Sequence, residues 1–556
     1  MYFSQKIIAR IIKFLLYQFI LLFFFNYPLS ATDYYVATSY GNDNNNGTSV
    51  ATPYKTIGKA ASVMSSGDKC YIRQGRYHET VSIDNLDGSS GSAIIFTNYN
   101  NERVVIDGTI PITSTWTQIG SSNIWRTKLS ADIWQLFINW EEQVMARWPN
   151  AKFSDDTIWD NDNYWGKGTI DDDENAYTNG TIIDDPYTNS AGTAIDLNAA
   201  GFDLDETNKQ AIAILNLGSF RTWSRLVATH SGNTFTYSSV PNWKTKHHYY
   251  YLEGRREFLD QAGEWWYDTY NNADSLYYYA ENGVDPNRLD FRGKVQSYAF
   301  SVTSSEYVQI KNLEFFATTV YFSNGDNCLV YGCNFMYPSC SKRMLRIVDT
   351  EPEMTKFASG SSGSSIRNCA FRYTDGTALE MWGGTDTVDN CYFNKIDYSV
   401  ADNSSIMLTI RMNGTANVFR KNTVHKTGGS ATVMIGDAGL IEYNNLYDTG
   451  HLQSDGSMIQ FMEGQQDGAI CRYNWLHDTE KYGARFDHSG TADGVNGIMH
   501  HNLAWNCESG GIMVKGNNHK VYNNTVLNSG SKNDIIVLQI NSGDHSATIV
   551  RNNAAD

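Results

Sequence analysis

The fold class that the sequence predicts is all-β: a right-handed parallel β-helix solenoid with an N-terminal capping helix and a β-rich inserted domain. Three observations carry this. A phrase recurs through the second half, "IRNCAFRY", "VDNCYFNK", "FRKNTVHK", "IEYNNLYD", "CRYNWLHD", "MHHNLAWN", "VYNNTVLN". Its aligned asparagines, Asn368, Asn390, Asn422, Asn444, Asn474, Asn502 and Asn524, lie 22 to 32 residues apart, the mark of a solenoid with variable insertions. Each period also holds short β-branched or alternating runs bounded by Gly, Asn and Asp, with little helical periodicity. Finally, the regular leucine frame of a leucine-rich repeat is absent, and so is the four-strand period of about forty residues that a propeller needs. Coils stacked about 4.8 Å apart would let the asparagines hydrogen-bond along the axis.

Taken in order, residues 1–31 read as a signal peptide. Lys6, Arg10 and Lys13 precede an apolar run from Phe14 to Phe25, and small residues follow at Ser30 and Ala31. The mature chain is then expected to be secreted, periplasmic or on the cell surface, and no other stretch is long and apolar enough to span a bilayer. Residues 32–110 carry an asparagine-rich loop and then "TIGKAASVM", a short amphipathic helix suited to covering an open solenoid end. Residues 111–300 interrupt the repeat as a β-rich insertion. Within it, the Asp/Asn-rich stretch 155–190 reads as a loop that could hold calcium, although Asp171, Asp172 and Asp173 lack the alternating ligand spacing of an EF-hand. Residues 301–556 are the main solenoid. The sequence stops at "TIVRNNAAD", where another coil would begin, so a truncated or otherwise covered C-terminal end is expected.

Bulk properties exclude some classes of partner. A net charge of −17 disfavours nucleic acid, because binding phosphates needs a basic field. An aromatic content of 13% suits sugar-binding clefts and plain β-structure alike. No CxxC pair points to zinc. Cys328, Cys333 and Cys340 are close enough for a local disulfide, whereas Cys333, Cys369 and Cys391 recur at one repeat position and read as a ladder of small buried side chains. A monomer that needs no cofactor is expected, with calcium as an option.

Aligning the coils on their glycines brings a polar constellation onto one outer face. Leu379, Ile459, Phe486 and Val514 are read as inward, and Glu380, Gln460, Asp487 and Lys515 as the outward column. Gly436 is placed beside Gln460 as a dent for a sugar ring, with Thr409 or Arg411 nearby and Arg485 flanking Asp487. Glycoside hydrolysis needs two carboxyl groups. Asp487 is the first, and Asp455 and Glu463 of the preceding coil compete to be the second. Asp455 has an alternative reading as a turn former, because Asp375-Gly376 repeats its layout. His451 and His488 are read as sugar-binding imidazoles, and Trp382 as a stacking ring.

The segment "YYVATSYGNDNNNGTSVATPYKTIGKAASVM" resembles the start of secreted β-helix proteins of the pectin-lyase-like superfamily. "QLFINWEEQVMARWPN" and "REFLDQAGEWWYDTYNNADSLYYYAENGVDPN" resemble segments of β-helix glycoside hydrolases that carry a β-rich insertion. "SDGSMIQ" and "RFD" resemble elements of the β-xylosidase and α-L-fucosidase kind, which implies catalytic acids drawn from consecutive coils, here Asp455 and Asp487. Arg485, Lys515 and Arg411 suggest an acidic or sulfated plant or algal glycan. Two other readings stand beside hydrolysis. One is a polysaccharide lyase acting by β-elimination on a uronate, with Lys515 as base and Asp487 holding calcium. The other is a non-catalytic carbohydrate-binding β-helix using Trp382 and Gln460.

Overall fold

The computed structural model describes residues 31–168, 179–218, 220–241, 248–270, 274–403, 408–462, 464–488, 494–530 and 533–556. The expected leader (apart from Ala31), the Asp171–Asp173 run and Glu463 lie outside them. Three long sheets are built from parallel strands, one per coil. Sheet 1 runs from Val81–Asp84 to Ile535–Val537, sheet 2 from Asp33–Val36 to Ile549–Arg551, and sheet 3 from Gly75–Tyr77 to Ala554–Ala555. Within a coil the chain visits them in that order, as in Ser457–Phe461, Ile470–Arg472 and Trp475–Thr479.

Alternation explains the short strands. In Val418–Arg420 only Phe419 turns inward, and in Ala370–Arg372 only Phe371 does. Stacking then repeats the inward residue coil after coil. Phe315, Phe335, Phe371 and Phe393 lie with centroids 4.6, 4.6 and 4.9 Å apart, close to the strand spacing. At the N-terminal end the helix Ile57–Ala61 buries Ile57, Ala60 and Ala61 against the first coil. Thr56 caps it by accepting from Lys59 N at 3.1 Å, and the Glu79 carboxylate accepts from the Ile57 and Gly58 amides at 2.9 Å each.

The buried asparagine ladder runs from Asn422 onward, and Asn390 donates to Asn368 at 2.7 Å in an exposed rung, so the repeat phrase merges two slots. Asn444, Asn474, Asn502, Asn524 and Asn553 donate or accept side chain to side chain at 2.8 to 3.0 Å, and Asn422 joins through its backbone amide at 2.9 Å. Upstream that buried slot belongs to cysteine: the Cys391 amide donates to Asn422 Oδ1 at 2.8 Å. Asn368 and Asn390 stand one residue earlier, exposed and left-handed, at φ 55° each. A left-handed residue in each turn suits asparagine as well as the inner slot does, so the two cannot be told apart by residue type. All eight cysteines are free and buried, so the local disulfide among Cys328, Cys333 and Cys340 does not form.

The insertion leaves the solenoid after Asp107 and returns at Tyr298, with coil register kept across the gap: Ser82 pairs with Ser301, Ile95 with Gln309 and Val105 with Glu314. Its antiparallel strands enclose a core that includes Leu215, Tyr250 and Trp265. A buried guanidinium latches it to the coil: Arg343, 1% exposed, donates to Glu253 Oε2 at 2.9 Å and Asp375 Oδ2 at 3.3 Å. Asn216 Nδ2 donates to Leu452 O at 2.6 Å, and Thr222 forms a parallel bridge with Ala401.

Candidate active site on the outer face of sheet 1

Strand pairing sets one outward column as Lys356, Glu380, Arg411, Met434, Gln460, Arg485 and Met513. Next comes an inward row containing Met381, Met412, Ile435, Phe486 and Val514, and the residues following it form a second outward column: Trp382, Asn413, Gly436, Met462, Asp487 and Lys515. The glycine-based frame was therefore two positions out for Asp487 and Lys515. Phe486 and Val514 do face inward, but alternation cannot detect a shift of two. Gly436 neighbours Met462 rather than Gln460, and it leaves no dent. A Cβ there would lie 2.5 Å from Gly414 O and 2.9 Å from Asn413 O, so close backbone approach dictates the glycine.

The two columns meet at Arg485. Its Nε donates to Gln460 Oε1 at 2.9 Å and its Nη1 to Asp455 Oδ1 at 2.8 Å, while Nη2 lies 3.3 Å from Asp487 Oδ2. Asp455 precedes its strand, and the turn folds it toward Asp487. One guanidinium thus stands between the two carboxylates, and glycoside hydrolysis needs a pair of carboxyl groups flanking the scissile bond. Lys515 Nζ donates to Asp487 Oδ1 at 2.8 Å, and Gln460 Nε2 donates to Asp487 Oδ2 at 3.1 Å. Ser457, which sequence reasoning passed over, donates to Gln460 Oε1 at 2.7 Å and so fixes which end of the amide faces Asp487. Gln466, also unforeseen, donates to Asp487 O. Their polar side chains resemble ordinary turn residues, and no sequence signal marks them.

Access is graded. The Arg485 side chain is 8% exposed, that of Asp487 23% and that of Asp455 39%. Burial pushes both aspartates up, but Arg485, joined by Lys515 at Asp487, outweighs it and holds each below the usual carboxylate range. Both are anions in the free protein at neutral pH. Asp375, which shares the Asp-Gly layout, is wholly buried against Arg343. The two Asp-Gly turns therefore do different work.

Four of the remaining candidates lie elsewhere. Glu380, Arg411 and Trp382 form a separate group one to two coils beyond Met434: Glu380 lies 2.8 Å from Lys356 Nζ and 3.4 Å from Arg411 Nη1, and accepts from Trp382 Nε1 at 2.9 Å. His451 lies on the turn leaving sheet 3, 2.8 Å from Asp448. His488 touches Asp487 through its backbone amide, at 3.0 Å, while its ring is buried beside Asp544 at 3.5 Å. Among the described residues no group of three or more His, Cys, Asp or Glu is arranged to hold a metal ion.

The family model described as a right handed beta helix region matches residues 357–554. The coil is a right-handed β-helix. This is the fold expected of the pectin-lyase-like superfamily. A solved glycoside hydrolase is similar over 94% of this β-helix chain and 97% of its own, at 13% identity and a TM-score of 0.61. A complex of XylC with xylose is similar over 90% of this chain and 70% of its own, at 13% identity and a TM-score of 0.47. YwoF, an uncharacterized protein of Bacillus subtilis (strain 168), is 40% identical over 76 residues, which is 14% of this β-helix chain and only 16% of the relative's length.

Proposed function

We propose that this β-helix protein is a secreted glycoside hydrolase acting on an acidic or sulfated glycan at the outer face of sheet 1. The observation that carries the reading is the single guanidinium of Arg485 between two carboxylates from consecutive coils. Asp487, held by two cations and an amide, stays ionised and serves as nucleophile or water-activating base. Asp455 is the more exposed and has one cation. Substrate that covers Asp455 and draws Arg485 toward an anionic sugar group removes its reason to stay charged, so it takes the proton that the leaving oxygen needs. The activity class of the similar glycoside hydrolase is carried over as part of this proposal.

β-Elimination is the second reading, favoured by Lys515 beside Asp487. It requires Lys515 to leave Asp487 before it can accept a proton. Purified protein on a panel of acidic and neutral polysaccharides separates the two, with new reducing ends and ultraviolet absorbance of unsaturated products followed together. Hydrolysis gives ends without absorbance, and Asp487→Asn and Asp455→Asn each lower the rate about 10²- to 10⁴-fold. Absorbance rising with the ends, and surviving in Asp455→Asn, would move the chemistry to Lys515.

A further inference from the structure

Between the insertion and the ends of the sheet 3 strands lies a concave site. It is a cavity of ≈ 470 Å³ whose walls include Glu142 and Gln261 from the insertion and Tyr337, Tyr373 and Lys395 from three successive coils. That volume lies within the roughly 300 to 1,000 Å³ of small-molecule sites. Glu142 also walls a neighbouring water-sized chamber of ≈ 20 Å³ with Trp134 and Gln135. Glu142 Oε1 accepts from Gln135 Nε2 and the Tyr398 hydroxyl, each at 2.8 Å, whereas Oε2 is buried with no hydrogen-bond partner. Gln135, 2% exposed, leaves its Oε1 unpaired, as do Trp134 with its Nε1 and Gln261 with its Oε1. Buried polar atoms are ordinarily satisfied, so this concentration calls for a partner that both donates and accepts. One water in the chamber can serve Trp134 and Gln135. The large cavity next to Glu142 has room for more than water.

The lining says what kind of ligand fits. Tyr337 and Tyr373 stack at 5.0 Å with the Lys395 ammonium 5.4 Å over the Tyr373 ring, so the stack offers its aromatic edges and the Tyr373 hydroxyl to the cavity. Lys395 is paired with Asp156 at 2.8 Å, Glu264 accepts from the Asp260 and Gln261 amides at 3.1 and 3.0 Å, and Glu141, Glu281 and Lys152 also line the cavity. We propose that this cavity binds a neutral sugar unit, with the edge of the Tyr337–Tyr373 stack against it and Glu142 hydrogen-bonded to a hydroxyl. The site stands four or more coils from Arg485, about 20 Å along the axis, and it does not depend on the hydrolytic reading. Facing Glu142 are Tyr398, Cys340 and Asp375 from the coil, Tyr337 at the sheet 3 end, and Lys294 and Glu141 on the insertion side. Burial raises the Glu142 carboxyl to about 8, so at neutral pH it carries a proton to donate.

Calorimetric titration of the full chain carrying Asp487→Asn, with xylose, galactose, cellobiose and lactose at pH 6 and pH 9.5, tests this. A saturable site is expected at pH 6 that Tyr373→Ala weakens at least tenfold and Arg485→Ala leaves unchanged. Its affinity should fall about tenfold by pH 9.5 as Glu142 and Glu264, both raised to about 8 and both lining the cavity, lose their protons, and Glu142→Gln, which fixes the neutral form, should keep the pH 6 affinity and reduce that fall. Tyr373 is a half-buried rim residue, so its variant reports even where a change at Glu142 disturbs folding. The proposal is overturned if none of the four sugars binds, if Tyr373→Ala binds as the parent does, or if Arg485→Ala removes the binding.

Discussion

Arg485 does three jobs with one side chain. Its fork reaches an amide and two carboxylates at 2.9, 2.8 and 3.3 Å, and a point charge cannot copy that geometry. Arg485→Lys is therefore expected to cut kcat by about 10²-fold while leaving the fold intact. A second readout separates electrostatics from packing. In Arg485→Gln, which removes the charge that a lysine would keep, Asp487 loses a cation that holds it low, so the acid limb of kcat/KM should move to higher pH. If the variant lost rate with its acid limb in place, Arg485 would be a packing residue. Part of this site was legible in the residues. "RFD" and "SDG" mark polar groups at strand ends, but alternation is blind to a two-residue shift, and so Asp487 had been read into the column that Arg485 occupies. Gly436 misled for a related reason: a glycine that admits a neighbouring backbone and one that opens space for a ligand look the same in sequence.

At the level of the turn, the ladder shows how one slot can be filled in two ways. Asn474 donates to Ile441 O at 3.2 Å and Asn502 Oδ1 at 2.9 Å, and accepts from Asn444 at 2.8 Å. Asn474→Ala orphans buried groups on both neighbouring coils and should cost about 1 to 3 kcal/mol in urea unfolding. Asn390→Gly, which keeps the left-handed turn and removes only the exposed side chain, should stay within about 0.5 kcal/mol. Equal costs at the two sites would contradict the two-slot description. Seven asparagines in register were enough to read a stacked solenoid, because a repeated turn residue implies a repeated turn. Which of them are buried depends on a one-residue offset at Cys391 and Asn422, and the variable insertions hide that offset in the sequence.

For the molecule as a whole, pH acts through carboxyls buried without sufficient compensation. Burial raises Glu142 and Glu264 to about 8, Asp386 to about 7, and Asp397 and Asp402 to about 6. Each is protonated when folded at pH values where the unfolded chain has released the proton. Their stabilising share is complete below about pH 4 and is lost as pH rises through 6 to 8. His519, lowered to about 4 by burial, works the other way, as do His500, Lys294 and Lys481, which burial also lowers. Asp375, Asp455 and Asp487, all depressed, have given their full share by pH 5. Tm should therefore peak near pH 5 and decline toward pH 8.5, and Glu142→Gln should flatten part of the decline; a Tm that climbed steadily to pH 8.5 would refute the assignment. None of these buried acids stands out in sequence: Glu142 and Asp402 are covered where the insertion meets the coil, at Tyr398 and Ser224, Asp386 and Asp397 within the coil, and Glu264 within the insertion. That insertion departs after Asp107 and returns at Tyr298, while Val105 and Glu314 pair as though nothing lay between them. Elsewhere the same junction is spanned by residues 450–456 alone. A solenoid that tolerates some 190 residues in one turn without losing step behaves like a socket. A new module spliced there would leave the coil in step, provided that it supplied the buried Arg343 and the Leu452 carbonyl with partners in place of Glu253 and Asn216.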